Sequence, residues 1–143
     1  MLRAIIIDDE IHILDTLSKL IAKHCREVAV IGTAGGVADG TETINRLEPD
    51  LVFLDLNLGD GSGFDLLRAV SRIRFRIIFI SAFDKATIQA FRLSGIDFLV
   101  KPINPADLIK TVKQAERQNV KDLLIQVQAL ESNTTWNKKN QKT

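Results

Sequence analysis

Short apolar runs at residues 4–7, 28–31, 51–54, 77–80 and 98–100 are rich in Ile, Val, Leu and Phe and lack the strict alternation of a strand with one wet face. Such runs suit strands buried on both faces of a parallel sheet. Between them the apolar positions recur at helical spacing. Ile13, Leu14, Leu17, Leu20, Ile21 and Cys25 form one face, and Val37, Thr41, Ile44 and Leu47 a second, after the break at Gly35 and Gly36. Gly59, Gly61 and Gly63 mark a loop before a helix at about 64–73, and a further helix at about 85–93 is closed by Gly95. Asn104 followed by Pro105 has the N-cap and first-turn proline chemistry that opens another helix. This strict alternation predicts an α/β domain: a doubly wound five-stranded parallel sheet of flavodoxin-like order 2-1-3-4-5, with helices on both faces.

After the apolar face of Leu108, Val112 and Ala115, the residues Val120, Leu123, Val127 and Leu130 keep a 3-4-3 spacing. A stripe this short is compatible with a dimerising helix or with an ordinary packed or frayed extension, because a coiled coil needs about three or four heptads to declare itself. From Ser132 the composition turns polar, with Trp136 and three lysines in no periodic order. The expected division is a domain over 1–118, a helical extension over 119–131 and a polar linker or disordered tail over 132–143.

Lys and Arg number 19 against 18 Asp and Glu, and the net charge of +1 gives no overall electrostatic drive toward nucleic acid or an anionic membrane. The single Cys25 cannot form an internal disulfide, and no apolar run approaches about 18 residues. A cytoplasmic protein with no membrane contact and no direct nucleic-acid binding by this chain is the expectation.

Polar residues stand where the strands end. Asp8 and Asp9 follow the first run, Asp55 the third, Ser81 the fourth, and Lys101 with Pro102 the fifth. In open α/β sheets the crevice outside the carboxyl ends of the strands is where ligands bind, so three acids, a hydroxyl and a lysine converge there. Carboxylates crowded together repel one another, and a hard divalent cation with oxygen ligands removes that repulsion. Taken alone, Asp8, Asp9 and Glu10 also suit a solvated strand end and the acidic first turn of a helix. Gly35 and Gly40 have P-loop spacing, but Thr41-Glu42 stands where Lys-Ser/Thr is required, which rejects a nucleotide loop. His12 and His24 have no metal-ligand spacing, and Cys25 reads as core.

The segments IIIDDE, LVFLDLNLGDGSGFDLL, IIFISAFD and DFLVKP resemble those of a response-regulator receiver domain over about residues 1–118, and SAFDKATIQAFRLSGIDFLVKPI is similar to the receivers of LytTR-type (LytR/AlgR family) regulators. The resemblance implies that Asp55 is the phosphoacceptor, that Asp8, Asp9, Asp55 and the Asn57 backbone carbonyl hold Mg²⁺, and that Lys101 pairs with the phosphoryl group. It makes Ser81 the switch hydroxyl and Phe98 the switch aromatic, although an aromatic in a strand reads equally well as core. The implied donor is a sensor histidine kinase. The implied output is transcription through a DNA-binding domain absent from this chain, and the domain assists only its own phosphorylation and dephosphorylation. Ser81 stands in place of the commoner threonine, Phe98 of tyrosine and Gly59 of proline.

A haloacid-dehalogenase-type phosphohydrolase is disfavoured, because that chemistry needs a second Asp two residues after the nucleophile at the end of the first strand. A pseudo-receiver is disfavoured because every site group is present. Phosphorylation-linked homodimerisation through the face of the fourth helix, fifth strand and fifth helix is expected, with residues 120–130 extending the contact.

Overall fold

A computed structural model describes residues 1–133; the tail containing Trp136 lies outside the described residues. The elements alternate as β1 (Leu2–Ile7), α1 (Ile11–His24), β2 (Val28–Ala34), α2 (Val37–Leu47), β3 (Leu51–Asp55), α3 (Gly63–Ala69), β4 (Arg76–Ser81), α4 (Lys85–Ser94), β5 (Phe98–Val100), α5 (Pro105–Ala115) and α6 (Val120–Asn133). The strands pair in parallel in the order β2-β1-β3-β4-β5, as the alternation predicts.

Period-2 geometry divides the strand residues between two cores. Ile5, Ile7, Val52, Leu54, Ile77 and Phe79 face a layer contributed by α2, α3, α4 and α6, while Ala4, Ile6, Leu51, Phe53, Ile78, Ile80 and Leu99 face α1 and α5. Both sides of β1, β3 and β4 are therefore dry, which is why those runs show no polar alternation. Local signals fix the helix starts. Ser62 and Asp65 form a reciprocal capping box on α3, Asp84 caps α4, and the Asn104 side chain accepts from Ala106 N and Asp107 N above Pro105. Gly95 closes α4 in the left-handed region at φ 69°.

Two elements differ in length from expectation. The second strand runs on to Ala34 through an irregularity opposite Ala4 and Ile5. Helix α3 stops at Ala69 rather than near Ile73, because Val70 turns extended and the Ser71 amide donates to Asn45 Oδ1 on α2 instead of continuing the helix.

Helix α6 folds back onto its own domain. Leu123, Val127 and Leu130 are buried and join the cluster containing Phe64, Phe79, Phe91 and Ile96, beside α4. Arg68 of α3 pairs with Glu131, and the Gln118 side chain, in the turn before α6, bonds both the amide and the carbonyl of Ile77. The expectation that residues 120–130 extend a dimer contact is thereby corrected: the apolar stripe that would do so already lies against this chain's own core. Each such side chain contributes about 1.5 to 3 kcal/mol of burial.

Candidate functional site

Strands β1 and β3 run side by side with Ile7 opposite Leu54, so the residues that follow, Asp8 and Asp55, emerge next to each other at the carboxyl edge. Both are buried, at 0% and 3% exposure. Asp8 is anchored by its own amide on Ala34 O and by Glu10 N, which donates to Asp8 Oδ1 at 2.8 Å. Asp9 is exposed beside it. One carboxylate oxygen from each of Asp8, Asp9, Glu10 and Asp55 lies within 4.8 Å of all the others.

The backbone of β5 brings Lys101 into this cluster, with its amide held by Ser81 O and a cis peptide to Pro102. Its ammonium lies 2.8 Å from Asp8 Oδ2, 2.9 Å from Glu10 Oε1 and 3.0 Å from Asp55 Oδ2. Burial works against that charge, but the three carboxylates outweigh it and hold the lysine pKa above its ordinary value. For Asp8 burial dominates over the Lys101 contact and raises the carboxyl, whereas the Lys101 hydrogen bond lowers that of Glu10. The approach of Lys101 to Asp8 Oδ2 is an ion pair outside hydrogen-bond geometry, which leaves that buried oxygen without a directed donor. Four clustered carboxylates with one lysine on three of them, and a buried oxygen still short of a partner, form a donor set that fits a hard divalent cation.

The remaining candidates sit around this core. Ser81 ends β4 one position beyond Ile80, which is paired with Asp55. Asn57 follows Asp55 by two residues; its amide donates to Asp55 Oδ1 at 3.2 Å, and its side chain accepts from Gly59 N. Phe98, half-buried at the start of β5, packs edge-on against Phe83 and Phe91, each at 5.5 Å between ring centroids. Lys101 contacts Glu10 as well as Asp8 and Asp55, a role for Glu10 that sequence reasoning missed. Glu10 sits at the N-cap of α1 without capping it, so its carboxylate turns to Lys101, and only its place directly after Asp8 and Asp9 hinted at this.

An acid cluster with one lysine at the carboxyl edge of a 2-1-3-4-5 parallel sheet defines a class of phosphoryl-accepting α/β domains. Residues 4–113 match the response regulator receiver domain, and the chain belongs to that family, the phosphoacceptor switches that interact with sensor histidine kinases. It is 32% identical over 120 residues to the sensory transduction protein LytT of Bacillus anthracis, covering 82% of this chain and 48% of that protein. It is 37% identical over 122 residues to an uncharacterized response regulatory protein of Vibrio cholerae, covering 85% and 51%. The chain thus spans about half the length of the curated relatives it matches. Among solved structures, the receiver domain of the Erythrobacter litoralis PhyR response regulator superposes with a TM-score of 0.69 at 26% identity, over 82% of this chain and 92% of that one. Among the described residues no helix is long and apolar enough to cross a membrane.

Proposed function

We propose that Asp55 accepts a phosphoryl group from a phosphohistidine on a sensor kinase, in a step that depends on Mg²⁺ held by Asp8, Asp9, Asp55 and the Asn57 carbonyl. The observation that carries this reading is the Lys101 ammonium held between buried Asp8 and Asp55 at the strand ends. An Asp55 carboxylate oxygen attacks phosphorus, the phosphorus–nitrogen bond breaks with its electron pair returning to the imidazole, and an acyl phosphate remains. The transferred group carries charge on its equatorial oxygens, and Mg²⁺ when bound supplies positive charge to offset it. In this reading Lys101 moves from Asp55 Oδ2 onto a phosphoryl oxygen, and the Ser81 hydroxyl donates to another.

The added dianion draws Ser81 and Lys101 together at the carboxyl ends of β4 and β5, and through Phe98 and its ring partners it biases α4. We assign the output to transcription control by a LytTR-type DNA-binding domain elsewhere in a longer cytoplasmic protein. The face of α4, β5 and α5 is the surface that changes and that supports a phosphorylation-linked homodimer. Intact-mass analysis after acetyl phosphate and Mg²⁺ tests the first step. One added phosphoryl group is expected in the wild type and none in Asp55→Asn, in Asp9→Ala or in chelator, while Lys101→Ala labels without switching. Labelling that survives in Asp55→Asn, or that proceeds equally in chelator, rejects the assigned site or metal.

A further inference from the structure

The loop from Leu56 to Ser62 carries the Asn57 carbonyl and crosses in front of the N-terminus of α2. The residue at that helix's N-cap is Gly36, which has no side chain to cap with. Asp60 reaches across from the loop instead: Val37 N donates to its Oδ1 at 2.8 Å and Ala38 N to its Oδ2 at 3.3 Å. These two amides, with the Val37 bond the larger influence, hold the Asp60 carboxyl below its usual range. The fit is shaped from both sides. A Cβ on Gly36 would come within 2.8 Å of Asp60 Oδ1, and one on Gly61 within 2.9 Å of Val37 Cγ2.

The start of this loop is held by the core, with Leu56 and Leu58 each 2% exposed and Asn57 N donating to Asp55 Oδ1, whereas its far side from Gly59 to Gly61 has fewer ties. Asp60 lies between two glycines, and Gly59, at φ 79°, occupies a left-handed conformation where a Cβ would face Asp9 Oδ2 at 3.6 Å. The bonds of this far side, Leu58 N to Gly61 O and Asp60 N to Leu58 O, tie the loop to itself. The clasp on α2 therefore acts together with the buried Leu58 side chain in setting how far the Asn57 carbonyl and Gly59 stand from Asp9 and Asp55.

We infer that Asp60 is a positioning residue for the metal site, which acts by anchoring the Asn57–Gly59 segment to the N-terminus of α2; this rests on the proposed Mg²⁺-dependent phosphorylation of Asp55. Partners of metal ligands commonly change affinity about 10- to 100-fold when removed, and a partner one loop away belongs near the lower figure.

The test is a Mg²⁺ titration without phosphodonor, followed by backbone amide NMR shifts and paired with urea midpoints. Asp60→Ala and Gly36→Ala, which break the clasp from opposite sides, should each weaken Mg²⁺ binding about 10-fold, and Asp60→Asn, which keeps an oxygen for Val37 N, should stay within about twofold. At saturating Mg²⁺ the labelling rate of Asp55 should return to near wild type in all three. Asn119→Ala, which removes the cap of α6 far from the site, should leave Mg²⁺ binding unchanged and so separates positioning from general loss of stability. Wild-type affinity in both Asp60→Ala and Gly36→Ala would overturn the inference, as would equal weakening in Asn119→Ala. If Asp60→Ala does not fold, Gly36→Ala and Asp60→Asn decide it. A wild type that neither binds Mg²⁺ nor labels defeats the functional reading itself, whereas a wild type that does both, with unaffected variants, defeats only the role of Asp60.

Discussion

Truncating Leu130 to alanine measures how firmly α6 is docked. Leu130 is 0% exposed although it lies three residues from the helix end, with Leu123 and Val127 on the same stripe. Buried Leu→Ala changes cost about 2 to 5 kcal/mol, and a site near a helix terminus can collapse or fray, so about 2 to 3 kcal/mol is expected. With a urea m-value of about 1 to 3 kcal/mol/M, the midpoint should fall by about 0.7 to 3 M. Ile125 on the same helix is 67% exposed, and Ile125→Ala should stay within about 0.5 kcal/mol of wild type. The free energy of docking α6 sets a ceiling, because the helix can detach while the sheet stays folded. Leu123→Ala combined with Leu130→Ala should therefore cost less than the sum of the two. All midpoints should be independent of protein concentration, since the stripe is satisfied within one chain. A Leu130→Ala variant within about 0.5 kcal/mol of wild type, or a midpoint that rises with concentration, would refute intramolecular docking.

In chelator, Asp9→Asn should match or exceed wild-type stability by about 0.2 to 1 kcal/mol, because it removes one exposed charge from the acid cluster, whereas Lys101→Met should cost about 3 kcal/mol by leaving buried acids unpaired; urea midpoints read both. Burial raises the Asp97 carboxyl above the ordinary 3.8, with the Gln118 hydrogen bond offsetting part of the rise. Its ionisation therefore opposes folding, with no penalty below the unfolded value and a growing one as pH climbs through the folded value. Asp97→Asn should accordingly raise the midpoint at about pH 7 and leave it unchanged at about pH 3. Sedimentation with a beryllofluoride mimic should show association strengthened about 5- to 150-fold. Val100→Asp at exposed β5 should abolish that gain, and Ile125→Lys on α6 should not.

The sheet was legible because strands dry on both faces read as uninterrupted apolar runs, and the polar residues ending four of the five runs mark the edge where a site can form. Asp8, Asp55 and Lys101 needed only that topology to meet. The docking of α6 was not legible, since a stripe such as Leu123, Val127 and Leu130 fits any apolar groove, on its own chain or another. Nor was the early end of α3, which depends on Asn45 from a different element accepting the Ser71 amide. Glu10 and Asp60 escaped for the same reason: each acts across the fold, Glu10 on a lysine 91 residues away and Asp60 on an amide 23 residues away.

The Gln118 side chain has a consequence for solubility. Strand β5 is three residues long and pairs only with the upper part of β4, from Phe79 onward. Below it the flank of β4 would present the Ile77 N–H and C=O as an open template for a strand from another molecule. The Gln118 carboxamide accepts from one at 3.1 Å and donates to the other at 2.8 Å, copying the two-bond pairing of a neighbouring strand with a single side chain. Gln118→Ala should then do more than lose two hydrogen bonds: it uncovers a length of strand, and aggregates rich in intermolecular β-structure would follow on storage.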